Sequence, residues 1–400
     1  MLATLILVWV QSSQESPELR RYPACLVTPG GALRFELELS RTPPESWKAF
    51  FVNGEERIPV PRVEFDGRTL VLDMPHYDSR IRAEWKEPRF VGTWQKRRSA
   101  TELASLPFET LALACTNLGP PPIERFGGRW AVDFETDEHT AVALIQESPV
   151  LDDVRGTFLT STGDYRYLNG TRSGPELTLS CFDGAHAFLF KARLQDGGTL
   201  AGDFWSGNWH HETWTAKRDE SAELADAFAQ TKWNGTTQLA DLRFPDLDGK
   251  QRSLGEFAGQ ATLLVVFGSW CPNCHDEARL LKELDATYRA RGLRILGLAF
   301  ELTGEFARDA GQVRLFAARH ALSIPYFLCG TADKDEATKA LGLVDRVRAF
   351  PTTVFVGADG LPRAIHSGFA GPATGEEHAK LVRAFEERIE ALLAAAPAQR

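Results

Sequence analysis

The chain has 400 residues, six of them cysteine, and a formal net charge of -9 at pH 7, so it is long enough for two or three domains with separate cores. Its 43% hydrophobic and 25% charged residues are typical of soluble globular proteins, and the acidic balance argues against a nucleic-acid-binding protein or a polybasic membrane-binding surface. The 25 Phe and 10 Trp, against only two Met, indicate an aromatic-rich portion built of β-structure.

The first ten residues are almost entirely apolar, and residues 11–15 turn abruptly polar. This pattern resembles the hydrophobic region and cleavage zone of a secretory signal, although no basic residues precede it. The apolar run is too short for a membrane-spanning helix, which needs about 20 apolar residues. We therefore predict a signal segment over residues 1–20 and export to the periplasm or cell envelope. If the segment is a buried strand instead, the protein is cytoplasmic.

Residues 25–218 are predicted to form an all-β region. Apolar and polar residues alternate with the period of two typical of antiparallel strands with one wet face, over 33–39, 81–86, 130–135 and 176–181. Pairs typical of hairpin turns separate such segments: Asn53-Gly54, Asp66-Gly67, Asn169-Gly170, Asp183-Gly184 and Asp196-Gly197. The stretches 30–98 and 127–218 end in similar six-residue sequences, at 93–98 and 213–218. This similarity predicts two related units, joined by a proline-rich segment at 120–122. They would form one barrel, one sandwich or two small sheets.

The sequence changes character after a predicted helical or loose linker at 219–238. Over 239–395, short apolar runs alternate with helical periodicity, which indicates a βα-type sheet covered on both faces. The predicted strands are 261–268, 293–300, 325–329, 352–357 and 363–367, and the predicted helices are 272–291, 305–321, 334–342 and 375–395. The chain is thus predicted to be multi-domain, with an N-terminal antiparallel all-β region and a C-terminal α/β domain.

Two cysteines, Cys271 and Cys274, lie where the predicted strand 261–268 passes into a helix. The first helical turn brings sulfurs at this spacing close enough to form a disulfide, and the helix N-terminus stabilises a thiolate. Pro272 suits the first helical position because its missing N–H costs nothing there. This arrangement is typical of thiol–disulfide chemistry.

The segment around these cysteines resembles the active site of the thioredoxin superfamily, and it is more closely similar to the TlpA/ResA type of exported thiol–disulfide oxidoreductases: Phe267-Gly268-Ser269-Trp270-Cys271-Pro272-Asn273-Cys274. The resemblance covers roughly residues 240–395 and implies a thioredoxin-like fold. It also implies that Cys271 is the exposed nucleophile and that Cys274 resolves the mixed disulfide. Many relatives have proline as the second residue between the cysteines, so Pro272-Asn273 leaves the redox potential open.

Two further matches support the resemblance. Pro351 occupies the place of the family's cis-proline loop, which implies that Phe350 lies beside the dithiol and pairs with a bound peptide as an added strand. Thr352 follows in the same loop, and Trp270 shapes the docking surface beside the motif, so both are expected to bind the substrate together with Phe350. Glu277 matches the family's glutamate after the second cysteine, which implies a proton shuttle for Cys274. The alternative for Glu277 is a solvated first-turn acid that complements the helix dipole.

Other chemistries for the motif have less support. With His275 it also satisfies the attachment pattern for c-type haem, but that role needs an all-helical fold, and this segment follows a buried strand. A zinc site needs four convergent ligands, for which only Cys329 and His320 are candidates beyond the motif. We therefore expect no metal and no cofactor, and we expect His275 to face solvent. A thiol peroxidase is disfavoured because peroxiredoxins use a Thr-x-x-Cys setting, whereas here Gly268 stands three residues before Cys271 in place of the threonine.

The remaining cysteines and histidines give weaker signals. Disulfide pairing among the scattered cysteines cannot be deduced from the sequence: Cys25, Cys115, Cys181 and Cys329. Of these, Cys181 and Cys329 lie in strand-like runs and are expected to be buried thiols. Four histidines lie in the β region: His139, His186, His210 and His211. The pair His210-His211 lies in a Trp-rich segment and could bind a ligand, but we expect surface histidines that flank a core aromatic stripe.

Together these features predict a thioredoxin-like protein disulfide oxidoreductase that acts in the cell envelope as a reductase. Its partners would be a protein disulfide substrate, such as an apocytochrome or another envelope protein, and a thiol electron donor, but no nucleic acid. The alternative is a binding module, in which the β region docks a partner and the thioredoxin-like domain is accessory.

Overall fold

The computed structural model describes residues 20–42, 46–111 and 125–395. Residues 1–19 of the predicted signal segment, Cys115 and the proline-rich segment at 120–122 lie outside the described residues. In the described part, no helix combines the length and the apolar character needed to cross a bilayer.

An open antiparallel sheet forms the first part of the chain, and nine of its strands fall within the described residues. They are β1 (Arg20–Thr28), β2 (Gly31–Thr42), β3 (Ser46–Asn53), β4 (Glu56–Pro59), β5 (Arg62–Phe65), β6 (Thr69–Met74), β7 (Ser79–Lys86), β8 (Arg89–Arg97) and β9 (Leu103–Thr110). Their spatial order is β4-β3-β2-β1-β9-β8-β7-β6-β5. The alternating apolar residues lie on one buried face, as Leu37, Ile81 and Trp94 illustrate.

The second sheet closes on itself. Its strands in the described chain are β10 (Gly128–Phe134), β11 (Ala141–Glu147), β12 (Asp153–Thr160), β13 (Gly163–Asp164), β14 (Leu168–Ser173), β15 (Glu176–Phe182), β16 (Ala187–Leu194), β17 (Thr199–Ser206) and β18 (His210–Arg218). Because β10 pairs with both β11 and β18, and β11 also pairs with β12, these strands form a barrel. Aromatic rings fill it: Phe158 stacks on Phe190 with a centroid distance of 4.3 Å.

The hairpin turn predicted at Asn169-Gly170 is wrong. Both residues lie inside β14, where Gly170 pairs with Leu179 of β15 and with Val154 of β12. A Cβ atom at Gly170 would lie 1.9 Å from the carbonyl oxygen of Thr178. Glycine is therefore needed here for the close approach of a neighbouring strand and not for a turn.

The C-terminal part is built on a sheet with the order β23-β22-β21-β24-β25. After a short hairpin of β19 (Arg243–Pro245) and β20 (Gln251–Ser253), its strands are β21 (Ala261–Phe267), β22 (Leu293–Glu301), β23 (Tyr326–Thr331), β24 (Thr352–Gly357) and β25 (Pro362–Ser367). The helices are α1 (Pro272–Tyr288), α2 (Phe306–His320), α3 (Lys334–Leu341) and α4 (Glu376–Ala395). Parallel pairing joins β21, β22 and β23, whereas β24 and β25 run antiparallel. This thioredoxin-like unit after an all-β region confirms the predicted fold class.

Residues 219–238 connect the barrel to this unit through turns and contain no helix, although every residue of the segment is described. The connector is anchored on the C-terminal unit. Trp233 forms an isolated β-bridge with Val344, and Phe228 packs edge-on against His366 at 4.8 Å between centroids.

A single guanidinium ties the three parts together. Arg166, between β13 and β14 of the barrel, donates from Nη2 to Glu56 of the open sheet at 2.6 Å. Its Nε lies 3.1 Å from Asp183 of the barrel, and its Nη1 contacts Asp276 in α1. The Arg166 side chain is only 6% exposed. Three parts of the fold therefore share one buried cation, which fixes the start of α1 against the β region.

Replacing Arg166 should destabilise the protein strongly. In an Arg166→Met variant, Glu56, Asp183 and Asp276 would stay buried without their cation, which costs about 3–5 kcal/mol. Chemical denaturation followed by tryptophan fluorescence measures this loss. The matched control is Arg155→Met, because Arg155 pairs with Glu55 and Asp153 at an exposed site and should cost less than about 1 kcal/mol. Equal losses in the two variants would contradict the role of the buried cluster.

Candidate active site

The two motif cysteines lie at the N-terminus of α1 and differ in their surroundings. Cys271 precedes Pro272, the first residue of the helix, and its thiol donates to the carbonyl oxygen of Phe350 at 3.3 Å. Cys271 is 7% exposed, whereas Cys274 is 2% exposed. Burial and the contact with Cys271 raise the pKa of the Cys274 thiol well above its usual value. The two sulfurs therefore differ in exposure, and the Cys274 thiol is held in its protonated form.

The predicted loop residues gather around Cys271. The Phe350–Pro351 bond is cis and places the Phe350 carbonyl oxygen over the sulfur. Trp270 packs edge-on against Phe350 at 5.6 Å between ring centroids. Its Nε1 donates a hydrogen bond to the Phe300 carbonyl oxygen at 2.9 Å. Thr352 is fully buried, and its hydroxyl donates to the Ala349 carbonyl oxygen at 2.8 Å. The side chain of Thr352 therefore shapes the loop, whereas Trp270 and Phe350 line the surface beside the sulfur.

Glu277 is buried, so its interpretation as a solvated helix acid is wrong. One carboxylate oxygen accepts a hydrogen bond from the Thr353 hydroxyl at 2.6 Å, and the other has no hydrogen-bond partner. Burial raises the pKa of Glu277 to about 7, and the Glu277 carboxylate in turn raises the pKa of Cys274. A buried carboxyl group with a free oxygen near Cys274, and with a pKa near neutrality, can exchange a proton with that thiol.

The prediction that His275 faces solvent is wrong. His275 is 3% exposed. Its Nδ1 lies 2.6 Å from Nε2 of His320, and its Nε2 lies 2.8 Å from the Ser269 carbonyl oxygen. Burial lowers the pKa of His275 well below its usual value, so the ring is neutral. It must then donate from Nε2 to Ser269 and accept from His320 at Nδ1. The ring packs against Tyr77 of the open sheet, which is why this helix residue is covered.

Among the described residues, no three His, Cys, Asp or Glu side chains are placed to hold a metal ion. The five described cysteines are buried free thiols: Cys25, Cys181, Cys271, Cys274 and Cys329. Cys181 lies in β15 and Cys329 in β23.

Sequence reasoning missed three groups that surround the motif. Glu301, at the end of β22, accepts hydrogen bonds from the Ser269 backbone N–H at 2.8 Å and from its hydroxyl at 2.7 Å. Burial raises the pKa of Glu301 to about 7. The segment 293–301 is mostly apolar and ends in this carboxylate, and that pattern was the sequence signal that could have pointed to Glu301. The other two groups come from the β region, and no local pattern relates them to Cys271.

Lys96 is the first of these groups. It is buried at the end of β8 and donates from Nζ to the Ala185 carbonyl oxygen at 2.8 Å. Burial lowers the pKa of Lys96 to about 8, and the charges of Asp183 and Cys271 oppose that shift. The Lys96 ammonium group and the Cys271 sulfur therefore interact electrostatically.

The second group is the pair of Asp183 and His186 in the turn between β15 and β16. Nδ1 of His186 lies 3.1 Å from the Asp183 carboxylate, and the ring stacks on Phe188 at 4.3 Å between centroids. Burial lowers the pKa of His186, which favours a neutral ring. His186 and Cys271 line the same cavity, which has a volume of about 480 Å³ and lies between the barrel and the thiol.

The C-terminal region is similar in sequence to known thiol-disulfide oxidoreductases. Residues 234–382 match the family model described as Redoxin. The thiol-disulfide oxidoreductase ResA of Halalkalibacterium halodurans is 26% identical over 151 residues, which cover 36% of this chain and 76% of ResA. ResA of Geobacillus thermodenitrificans is 24% identical over 143 residues, which cover 36% of this chain and 75% of the relative.

A solved structure similar to part of this chain is that of a putative thiol:disulfide interchange protein DsbE from Chlorobium tepidum. It is 20% identical, with a TM-score of 0.31, and the match covers 39% of this chain and 95% of that chain.

The buried carboxyl of Glu277 predicts a pH-dependent stability. Its pKa rises from 4.5 unfolded to about 7 folded, so folding takes up a proton between these values, and stability falls as the pH rises through this window. A Glu277→Gln variant loses this dependence. It should match the wild type below about pH 4.5 and exceed it above pH 7, by about 2–3 kcal/mol. Denaturation midpoints measured across pH test this prediction.

The matched control is Glu283→Gln, an exposed position on the same helix, which should leave the pH profile unchanged. A Glu277→Gln profile parallel to the wild type would show that this carboxyl does not stay protonated in the folded protein.

Proposed function

We propose that this chain, whose C-terminal region is a thioredoxin-like disulfide oxidoreductase domain similar to the TlpA/ResA type, reduces protein disulfides in the cell envelope through Cys271 and Cys274. The observation that carries the proposal is the asymmetry of the two sulfurs. Cys271 lies at the helix terminus against the Phe350 carbonyl oxygen, and Cys274 lies behind it, buried beside Glu277.

The first step is the attack of the Cys271 thiolate on one sulfur of a substrate disulfide. The Cys271–substrate bond forms, the substrate disulfide breaks, and one substrate thiolate leaves. The N-terminus of α1 and the ammonium group of Lys96 stabilise the attacking thiolate. The backbone at Phe350 would pair with the substrate backbone as an added strand.

The second step releases the reduced substrate. Cys274 loses its proton to the Glu277 carboxylate and attacks the Cys271 sulfur, so the Cys271–Cys274 disulfide forms and the second substrate thiolate leaves. The substrate gains two electrons, and the dithiol loses two. A separate thiol donor must then reduce Cys271–Cys274 before the next cycle.

The cellular setting follows from the apolar start of the chain, which predicts export. In that compartment the substrates would be envelope proteins, of which apocytochromes are one class, and the donor would be a membrane-bound or soluble thiol protein. The reaction needs no metal and no organic cofactor, because both cysteines exchange electrons directly with the substrate.

Single-cysteine variants of the full chain test the proposed roles. Cys274→Ser should accumulate a mixed disulfide with a disulfide-bonded peptide, because the resolving thiol is missing, whereas Cys271→Ser should accumulate none. Nonreducing mass spectrometry measures the adduct, and the wild type should reduce the peptide in the presence of a dithiol donor.

A third variant, Cys329→Ser, controls for nonspecific thiol reactions, since Cys329 is buried in β23. It should behave like the wild type. An adduct that forms equally in Cys271→Ser and Cys274→Ser would contradict the assignment of the nucleophile.

A further inference from the structure

We propose that the cavity between Cys271 and the barrel recognises the substrate, and that it takes an extended cysteine-containing segment with an aromatic or aliphatic side chain beside the reacting cysteine. This inference rests on the proposed thiol–disulfide exchange and adds the substrate class. The cavity has a volume of about 480 Å³, which lies in the range of about 300–1,000 Å³ typical of ligand pockets.

The cavity has two walls from different parts of the chain. Trp270, Cys271 and Phe350 form the wall on the thioredoxin-like side. The barrel supplies the opposite wall through Phe188 and Phe204, which lie on adjacent strands β16 and β17. A group held between these walls lies beside the attacking sulfur and is removed from water on both faces.

The barrel wall is an aromatic surface that is already rigid. Tyr165 lies 5.1 Å from Phe188 and 5.0 Å from Phe204 between ring centroids, and Phe188 lies 5.6 Å from Phe204. Rings that pack against one another lose little freedom when a substrate binds. They favour an apolar side chain, and an aromatic one can add an edge-on or stacked contact.

Three polar groups at the cavity already have partners. Asp164 accepts hydrogen bonds from two backbone N–H groups, of Arg166 at 2.7 Å and Gly371 at 2.6 Å. His210 lies 3.0 Å from Glu212. Arg98 pairs with Glu102 at 2.8 Å, and its guanidinium lies 4.8 Å from the centre of the Trp209 ring. A neutral polar substrate side chain would have to compete for these partners, so it should bind more weakly than an apolar one. An acidic side chain is a separate case, because Lys334 adds a cation to the lining.

The exposure of the nucleophile limits the shape of the substrate. With the β region in place, Cys271 is only 7% exposed, and the barrel wall faces it across the cavity. A disulfide on a bulky folded surface should therefore reach the sulfur less readily than a disulfide in an extended segment. An extended segment can enter and place its backbone along Phe350, next to the thiol.

Two tryptophans provide a matched pair of variants. Trp205 and Trp209 are both partly buried and both pack against the core of the open sheet. Trp209 lines the cavity, whereas Trp205 stacks on His211 at 4.9 Å between centroids and is not part of the lining. Removing Trp209 should therefore alter substrate choice, and removing Trp205 should not.

The experiment compares two disulfide-bonded peptides that differ only in having Phe or Ser beside the cysteine, together with hydroxyethyl disulfide as a small probe. The wild type should turn over the Phe peptide with a kcat/KM about tenfold above that of the Ser peptide. Trp209→Ala should reduce this preference at least about threefold by raising KM for the Phe peptide. Trp205→Ala should keep it, and hydroxyethyl disulfide should react equally with all three proteins.

The possible failures are distinguishable. Equal rates for the two peptides, or a preference for hydroxyethyl disulfide over both, would overturn the recognition proposal while leaving disulfide exchange intact. Loss of turnover of every disulfide in the wild type would overturn the proposed function itself.

Discussion

The buried ion cluster around Arg166 is the interaction on which the arrangement of the active site depends. It brings carboxylates from the open sheet, the barrel and the first turns of α1 onto one guanidinium. A cation buried at this depth is tolerated because three anions surround it. Arg166 is in turn their shared cation, although Asp183 also contacts His186 and Asp276 also contacts Arg279. The helix that carries both reactive cysteines is thereby fixed against the β region, and the cavity beside Cys271 exists because of that position.

A second set of contacts holds the motif from within the thioredoxin-like unit. Glu301 binds the backbone and hydroxyl of Ser269, and His275 donates to the carbonyl oxygen of the same residue. Burial shifts the pKa values of both groups toward their neutral forms. These two partners fix the backbone of the loop next to Cys271 from two sides.

The local features of the site were predictable from the sequence. The apolar strand before Cys271, the helix after it and the loop at Pro351 each leave a pattern within a few residues, and each lies where it was predicted. The surroundings of His275 were not predictable, because Tyr77 covers it from the turn between β6 and β7. Lys96 and Ala185 are 89 positions apart, and Arg166 is 110 positions from both Glu56 and Asp276. Local periodicity carries no information about such pairings. The turn predicted at Gly170 was wrong for the same reason, because the need for glycine at this position comes from the close approach of Thr178 on the neighbouring strand.

The central claim is that Cys271 and Cys274 form a reducing dithiol. The reduction potential of this pair, measured in the full chain against defined redox buffers with Cys271→Ser as the blank, tests it most directly. The account predicts a value near that of thioredoxin, about -270 mV. A value near about -120 mV, which is typical of a strong disulfide oxidant, would contradict it.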